Sequence, residues 1–164
     1  MKASREITIR TDIRPGDLGL ITYLHGVLYA DEFNHGLAFE AMVAGGLHEF
    51  YSTYDPEKER FWIVEDNGKM IGCLALKNRG ETAQLRYFVI RPEYRGSGLG
   101  NKLLRLFIDF AKACKYKGVY LWTGSELDKA QHLYQKIGFK LAEEKASTAF
   151  GKPAIEQRYE LVLM

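Results

Sequence analysis

The sequence predicts a mixed α/β domain with helices covering a largely antiparallel sheet, and three observations carry that prediction. Apolar residues fall into successive segments with either the two-residue period of strands or the 3.6-residue period of helices, in the order β-α-α-β-β-β-α-β-α-β-β. Asp66-Asn67-Gly68 separates two apolar runs as a hairpin turn does. The 164 residues contain no internal repeat, low-complexity tract or Pro/Ser-rich linker, so residues 1–164 are expected to form a single domain with its own core.

Taken in order, Ile7-Thr8-Ile9-Arg10 alternates as a half-buried strand. Pro15-Gly16-Asp17 breaks the chain and offers Asp17 as an N-cap for a helix carrying Ile21, Leu24 and Leu28. Phe39, Val43, Leu47 and Phe50 mark a second helix. Phe61–Val64 and Met70–Leu76 flank the hairpin turn, and Ala83 to Ile90 reads as a third strand, stopped by Pro92. Leu99, Leu103, Leu106, Phe107, Phe110 and Cys114 give the clearest amphipathic helix, followed by the short strand Val119–Trp122. Ala130, Leu133, Tyr134 and Ile137 mark a last helix, closed by Gly138. Phe139–Ala142 and Tyr159–Leu163 supply the final strands.

Composition narrows the function classes. A formal net charge of +2 with 27% charged residues lacks the basic excess of a nucleic-acid binder. No apolar run approaches the ~20 residues of a membrane span, and Met1–Glu6 lacks the apolar segment of a secretory signal. The expectation is a cytoplasmic protein with no nucleic-acid or membrane partner, whose two cysteines, Cys73 and Cys114, are reduced and buried. The four histidines lie without metal-ligand spacing relative to Cys, Asp and Glu, so no metal is expected.

The chemistry concentrates in Arg95-Gly96-Ser97-Gly98-Leu99-Gly100, between a strand and the amphipathic helix. Glycines let backbone N–H groups turn toward a ligand, and the helix N-terminus adds unpaired donors and a positive dipole end. Arg95 and Lys102 add charge, so a diphosphate fits. The spacing is not the G-x-G-x-x-G of dinucleotide-binding folds, and Asn101-Lys102 replaces the Lys-Ser/Thr of a P-loop.

Arg95-x-x-Gly98-x-Gly100, approached by Val89-Ile90-Arg91-Pro92-Glu93-Tyr94, resembles the R/Q-x-x-G-x-G/A signature of the GNAT acetyltransferases. Ala130-x-x-Leu133-Tyr134-x-Lys136-x-Gly138-Phe139 is similar to that family's A-x-x-L-Y-x-K-x-G-F segment. Pro15–Gly19 and His25-Gly26-x-Leu28-Tyr29 resemble the acetyltransferase half of proteins that fuse a MarR-type regulator to such a domain; the regulator half has no counterpart here.

The resemblance implies an N-acetyltransferase that uses acetyl-coenzyme A as co-substrate. It implies that the main chain of Phe88, Val89 and Ile90 holds the pantetheine arm and that a backbone N–H at Val89 or Ile90 meets the oxyanion. The pyrophosphate is expected on Arg95, Gly96, Ser97, Gly98, Leu99 and Gly100, with Asn101 and Lys102 close by. Tyr134 would protonate the coenzyme A thiolate, which is sound chemistry because a thiol near pKa ~8.5 and a phenol near ~10 exchange a proton easily. Leu127 stands where the family often has Asn, so local pantetheine contacts differ.

The resemblance further implies that the acceptor is a primary amine, of a small molecule or a protein, that attacks directly and must lose a proton first. Many relatives use a strand Glu for this, but Gln84-Leu85-Arg86-Tyr87 offers none, leaving Glu32, Glu40, Glu81, His25 and His48 as candidates. Arg86, within an apolar strand, either faces the acceptor and selects a carboxylate or sits on a wet sheet face beside a Glu. The first two helices, Phe150-Gly151-Lys152 and the last strands would frame the acceptor pocket, and an exposed terminal edge permits a homodimer. A non-catalytic acyl-coenzyme A sensor on the same fold is the alternative, followed by another nucleotide-binding α/β protein.

Overall fold

The computed structural model describes residues 4–149 and 152–163. Its elements follow the expected order: β1 (Ile7–Arg10), α1 (Asp17–Phe33), α2 (Leu37–Ser52), β2 (Arg60–Asp66), β3 (Lys69–Asn78), β4 (Thr82–Ile90), α3 (Leu99–Ala113), β5 (Gly118–Gly124), α4 (Asp128–Ile137), β6 (Lys140–Ser147) and β7 (Ala154–Val162). A single 3₁₀ turn, Pro92–Tyr94, joins β4 to the glycine loop. The strands form one seven-stranded sheet in the order β1-β2-β3-β4-β5-β7-β6. Every pairing is antiparallel except β4 with β5.

Two apolar layers hold helices to opposite faces. On one face, Ile21, Leu24 and Leu28 of α1 and Val43, Leu47 and Phe50 of α2 pack on Phe61, Ile63, Cys73, Tyr87 and Val89. On the other, Leu103, Leu104, Phe107 and Ala111 of α3 meet Trp62, Val64, Leu74 and Leu76, and the layer extends to Tyr134 and Tyr159. Burying each large apolar side chain stabilises the fold by roughly 1.5–3 kcal/mol. β3, sandwiched between both layers, is buried from Met70 through Leu76, which is why it reads as a continuous apolar run rather than an alternating one.

Three local expectations are corrected. Gly16, at φ 94°, occupies the N-cap of α1 in place of Asp17. Asp17 instead accepts from the Arg14 amide at 2.7 Å and from both terminal nitrogens of Arg10, at 2.7 and 2.8 Å, while its charge still suits the first turn of the helix. Cys114 is only half-buried, donating to the Glu57 carbonyl at 3.4 Å, because it sits past the end of α3; Cys73 is fully buried. β6 and β7 are longer than their apolar residues suggest. They pair with each other at the sheet edge, where β6 carries exposed Glu143, Glu144 and Lys145. No helix among the described residues is long and apolar enough to cross a membrane.

Candidate functional site

The site begins as a break in the sheet. β4 and β5 pair only at Thr82–Gln84 with Gly118–Tyr120. Beyond Gln84 the strands part, so Leu85–Ile90 keeps β3 on one side and opens a cleft toward β5 on the other. Backbone polar groups facing such a cleft need a partner, and an extended amide-bearing chain supplies one.

A bulge sits at the cleft. Cys73 faces Val89 and Ala75 faces Arg86, so Leu74 alone opposes two residues, Tyr87 and Phe88. Tyr87 has φ 55°, a strained value for a non-glycine residue and a common mark of functional positions. The bulge also swaps faces. Ala83 and Leu85 belong to the α3 layer, Tyr87 and Val89 to the α1/α2 layer, and Phe88 and Ile90 turn back toward α3.

The glycine loop closes one end of the cleft. Gly96 and Gly98 have φ 79° and 86°, conformations an L side chain rarely adopts, and no atom lies within 4 Å of where their Cβ would be. Gly98 caps α3 without a side-chain bond, and the first helical bond runs from Lys102 N–H to Gly98 O at 3.0 Å. The Arg95 amide donates to Pro92 O at 3.2 Å. The amides of Gly96, Ser97, Gly98, Leu99, Gly100 and Asn101 have no backbone partner among the described residues. Six donors around an open cradle at a helix N-terminus fit a diphosphate. The Lys102 side chain is exposed at the same end.

Arg95 plays a different part from the one its charge suggests. Its Nε donates to Ile90 O at 2.9 Å, and its terminal nitrogens grip Glu32 at the end of α1, Nη2 to Oε2 at 3.0 Å. The charge is therefore neutralised by Glu32, and the side chain ties α1 to the loop.

Tyr134 reaches the cleft from α4. It is 5% exposed, with Phe139 at 5.8 Å, Tyr159 at 6.3 Å and Phe88 at 6.4 Å between ring centroids. Burial raises its phenol far above the ordinary tyrosine value, and a charge on Tyr29 would raise it further. Tyr29 belongs to α1, on the opposite face of the sheet. Burial, with Glu32 adding, pushes Tyr29 up to about 12. It stacks on Phe39 at 4.5 Å and lies 5.9 Å from His35. His35 in turn bonds Glu126, beyond β5, at 2.9 Å, and Lys152 donates to the Phe33 carbonyl. The α1–α2 connection thus spans the cleft, held by Arg95 on the β4 side and by Glu126 on the β5 side.

Of the five candidates for proton removal, the structure brings two here. Glu32 is engaged by Arg95. His25 lies beneath Tyr29 and Tyr87, bonded through Nδ1 to Ile21 O at 2.8 Å, and burial lowers its pKa to about 4. Glu40 folds back against Gly26, Glu81 pairs with Lys117 at the distant β3–β4 turn, and His48 is exposed on α2. Sequence reasoning missed His35 and Glu126 as cleft residues; Tyr29 and Phe33, with Tyr23 and Phe50, are aromatics the sequence offers for an acceptor pocket, at a spacing that is also what a helix core looks like. Of the expected acceptor loop, Phe150 and Gly151 lie outside the described residues.

The model of the acetyltransferase (GNAT) family matches residues 27–139. Spermidine N(1)-acetyltransferase of Escherichia coli K12 is 32% identical over 111 residues, 65% of this chain and 58% of that protein. An acetyltransferase structure from Streptococcus agalactiae superposes with a TM-score of 0.75 at 25% identity, covering 96% of this chain and 98% of that one. A spermidine N-acetyltransferase from Vibrio cholerae, solved with coenzyme A and spermine, shares the fold at a TM-score of 0.71 and 24% identity, covering 95% of each chain. The chain spans about half the length of the curated relatives it matches.

Proposed function

The chain belongs to the acetyltransferase (GNAT) family, and on that premise we propose that it transfers the acetyl group of acetyl-coenzyme A to a primary amine. The observation that carries this reading is the continuity of the cleft: parted β4 and β5, the Tyr87 bulge, six unpaired amides at the head of α3, and Tyr134 at the far wall. In this reading the amides from Gly96 to Asn101 hold the pyrophosphate. The open edge of β4 at Phe88 and Val89 pairs with the pantetheine amides; the Ile90 carbonyl is already taken by Arg95.

The acceptor nitrogen, delivered neutral, attacks the thioester carbonyl. A C–N bond forms, the C–S bond breaks, and a backbone N–H on the open edge of β4 steadies the oxygen charge. Tyr134 donates its proton to the coenzyme A sulfur, and the proton shed by the acylated nitrogen restores the phenol. Burial weakens the phenol as an acid, and the same desolvation makes a thiolate leaving beside it a stronger base. Donor and acceptor rise together.

A second reading, a non-catalytic acyl-coenzyme A sensor, draws support from the absence of a carboxylate in Gln84–Tyr87. Thiol release across a panel of amines, run beside calorimetric binding of acetyl-coenzyme A, separates the two. Binding with turnover supports the enzyme, and binding without turnover supports the sensor. The proposal also places this single-domain protein in the cytoplasm, where Cys73 and Cys114 stay reduced, and assigns any homodimer contact to the β6 edge.

A further inference from the structure

The bulge puts two consecutive side chains on one face. Arg86, before it, and Tyr87, the first of its two residues, both point toward α2, and the Arg86 guanidinium lies 4.7 Å over the Tyr87 ring. Stacking fixes the planar group without using its hydrogen-bond donors. Arg10, Arg95 and Arg158 each hold a carboxylate. Half-buried Arg86 forms no ion pair with any described residue.

Helix α2 makes room for this arrangement. A Cβ on Gly46 would lie 3.0 Å from Arg86 Nη2 and 2.4 Å from Tyr87 Oη. Glycine inside a helix is unfavourable, and here it allows the backbone to approach both groups. The Tyr87 hydroxyl, on a residue 8% exposed, has no hydrogen-bond partner among the described residues. On the other side of Arg86 opens a groove of about 290 Å³, which Tyr87 does not line; its walls include Arg86, Arg79, Lys77, Ser52, Thr53 and one acidic side chain, Glu49. Lys77 is paired with buried Glu59 at 3.2 Å, and exposed Arg79 gives its Nε to the Gln84 amide oxygen at 2.8 Å, so Arg86 is the half-buried cation of the groove with open donors.

Arg86 is also two residues past Gln84, the last position where β4 and β5 pair, so it sits at the apex of the cleft. Phe88 follows two residues later, roughly 7 Å along the strand. An amine attacking there, and extending toward the α1/α2 face, lays its next polar group on Arg86.

Resting on the acetyltransferase reading, we infer that the acceptor is a small amine bearing a carboxylate, held bidentately by Arg86. A polycationic amine is disfavoured in the same groove.

The test is thiol release with free L-amino acids, their amides, spermidine and phosphoethanolamine, on the wild type and on Arg86→Gln and Arg86→Lys. At least one acid should exceed its own amide in kcat/KM by about 50-fold or more, the loss expected for one charge-assisted pair. In Arg86→Gln that ratio should fall below about three-fold, through KM, with acetyl-coenzyme A affinity and thermal midpoint unchanged; Arg86→Lys should recover only part of it. Equal use of acids and amides, preference for spermidine or phosphoethanolamine, or acetyl-coenzyme A binding with no acid acetylated would each overturn the inference and leave the cofactor reading standing. Failure to bind acetyl-coenzyme A would instead remove the reading on which it rests.

Discussion

Replacing Tyr134 by Phe removes one hydroxyl and leaves the ring. The ring supplies the packing against Phe139, Tyr159 and Phe88. The hydroxyl makes no side-chain hydrogen bond with a described residue, so the fold should change by less than about 1 kcal/mol, equivalent to roughly 3 °C in a domain of this size. The chemical cost is larger. A positioned general acid contributes about 10²–10⁴ in rate, or ~2.7–5.4 kcal/mol at 1.36 kcal/mol per tenfold. Within a cleft that raises both phenol and thiol, water is a poor substitute donor, so we expect kcat to fall at least 100-fold. Thiol release at saturating acetyl-coenzyme A and amine measures this, with calorimetry and a thermal melt beside it. Acetyl-coenzyme A affinity should stay within about two-fold. Because burial raises the phenol, it stays protonated through mildly alkaline pH, and the wild-type rate should not decline there through Tyr134. A variant with wild-type kcat would refute the acid role and leave Tyr134 as packing.

Two further outcomes follow from local structure. Gly98→Ala forces a side chain to φ 86°, costing about 1–2 kcal/mol of backbone strain and displacing the adjacent amides. Denaturant melts should show that loss, and calorimetry should show acetyl-coenzyme A affinity about ten-fold weaker; intact affinity in the strained variant would place the phosphates elsewhere. His25, at about 4 against an ordinary 6.5, is neutral when folded, so protonation favours the unfolded chain. Stability should fall as pH drops from 6.5 toward 4, by roughly 2 kcal/mol between pH 7 and pH 5. His25→Phe should flatten that part of the profile, and an unchanged slope would assign the acid sensitivity to other groups.

The parts of this protein legible in its sequence are those set by local periodicity and turn chemistry. Leu103 and Phe107 announce α3, Asn67-Gly68 announces the hairpin, and Gly138 does cap α4. β6 and β7 were recognised only in part because Glu143, Glu144 and Lys145 line an exposed edge strand, where no buried face imposes alternation. The glycine loop was visible, but Arg95's engagement with Glu32 was not, since 63 residues separate them. The cleft was invisible for the same reason: it arises where two non-local strands stop pairing. The face-swapping bulge rests on a non-glycine residue at positive φ, which no residue type advertises. Tyr29, His35 and Glu126 meet only because the α1–α2 connection crosses the gap, so their spacing looks like ordinary core and surface.

The most direct measurement is calorimetric titration of the folded protein with acetyl-coenzyme A, set beside ATP and NAD. The cleft and its six amides predict saturable one-site binding of acetyl-coenzyme A that Gly98→Ala weakens, with ATP and NAD far weaker. No binding of acetyl-coenzyme A, or binding matched by NAD and ATP, would contradict the account at its centre.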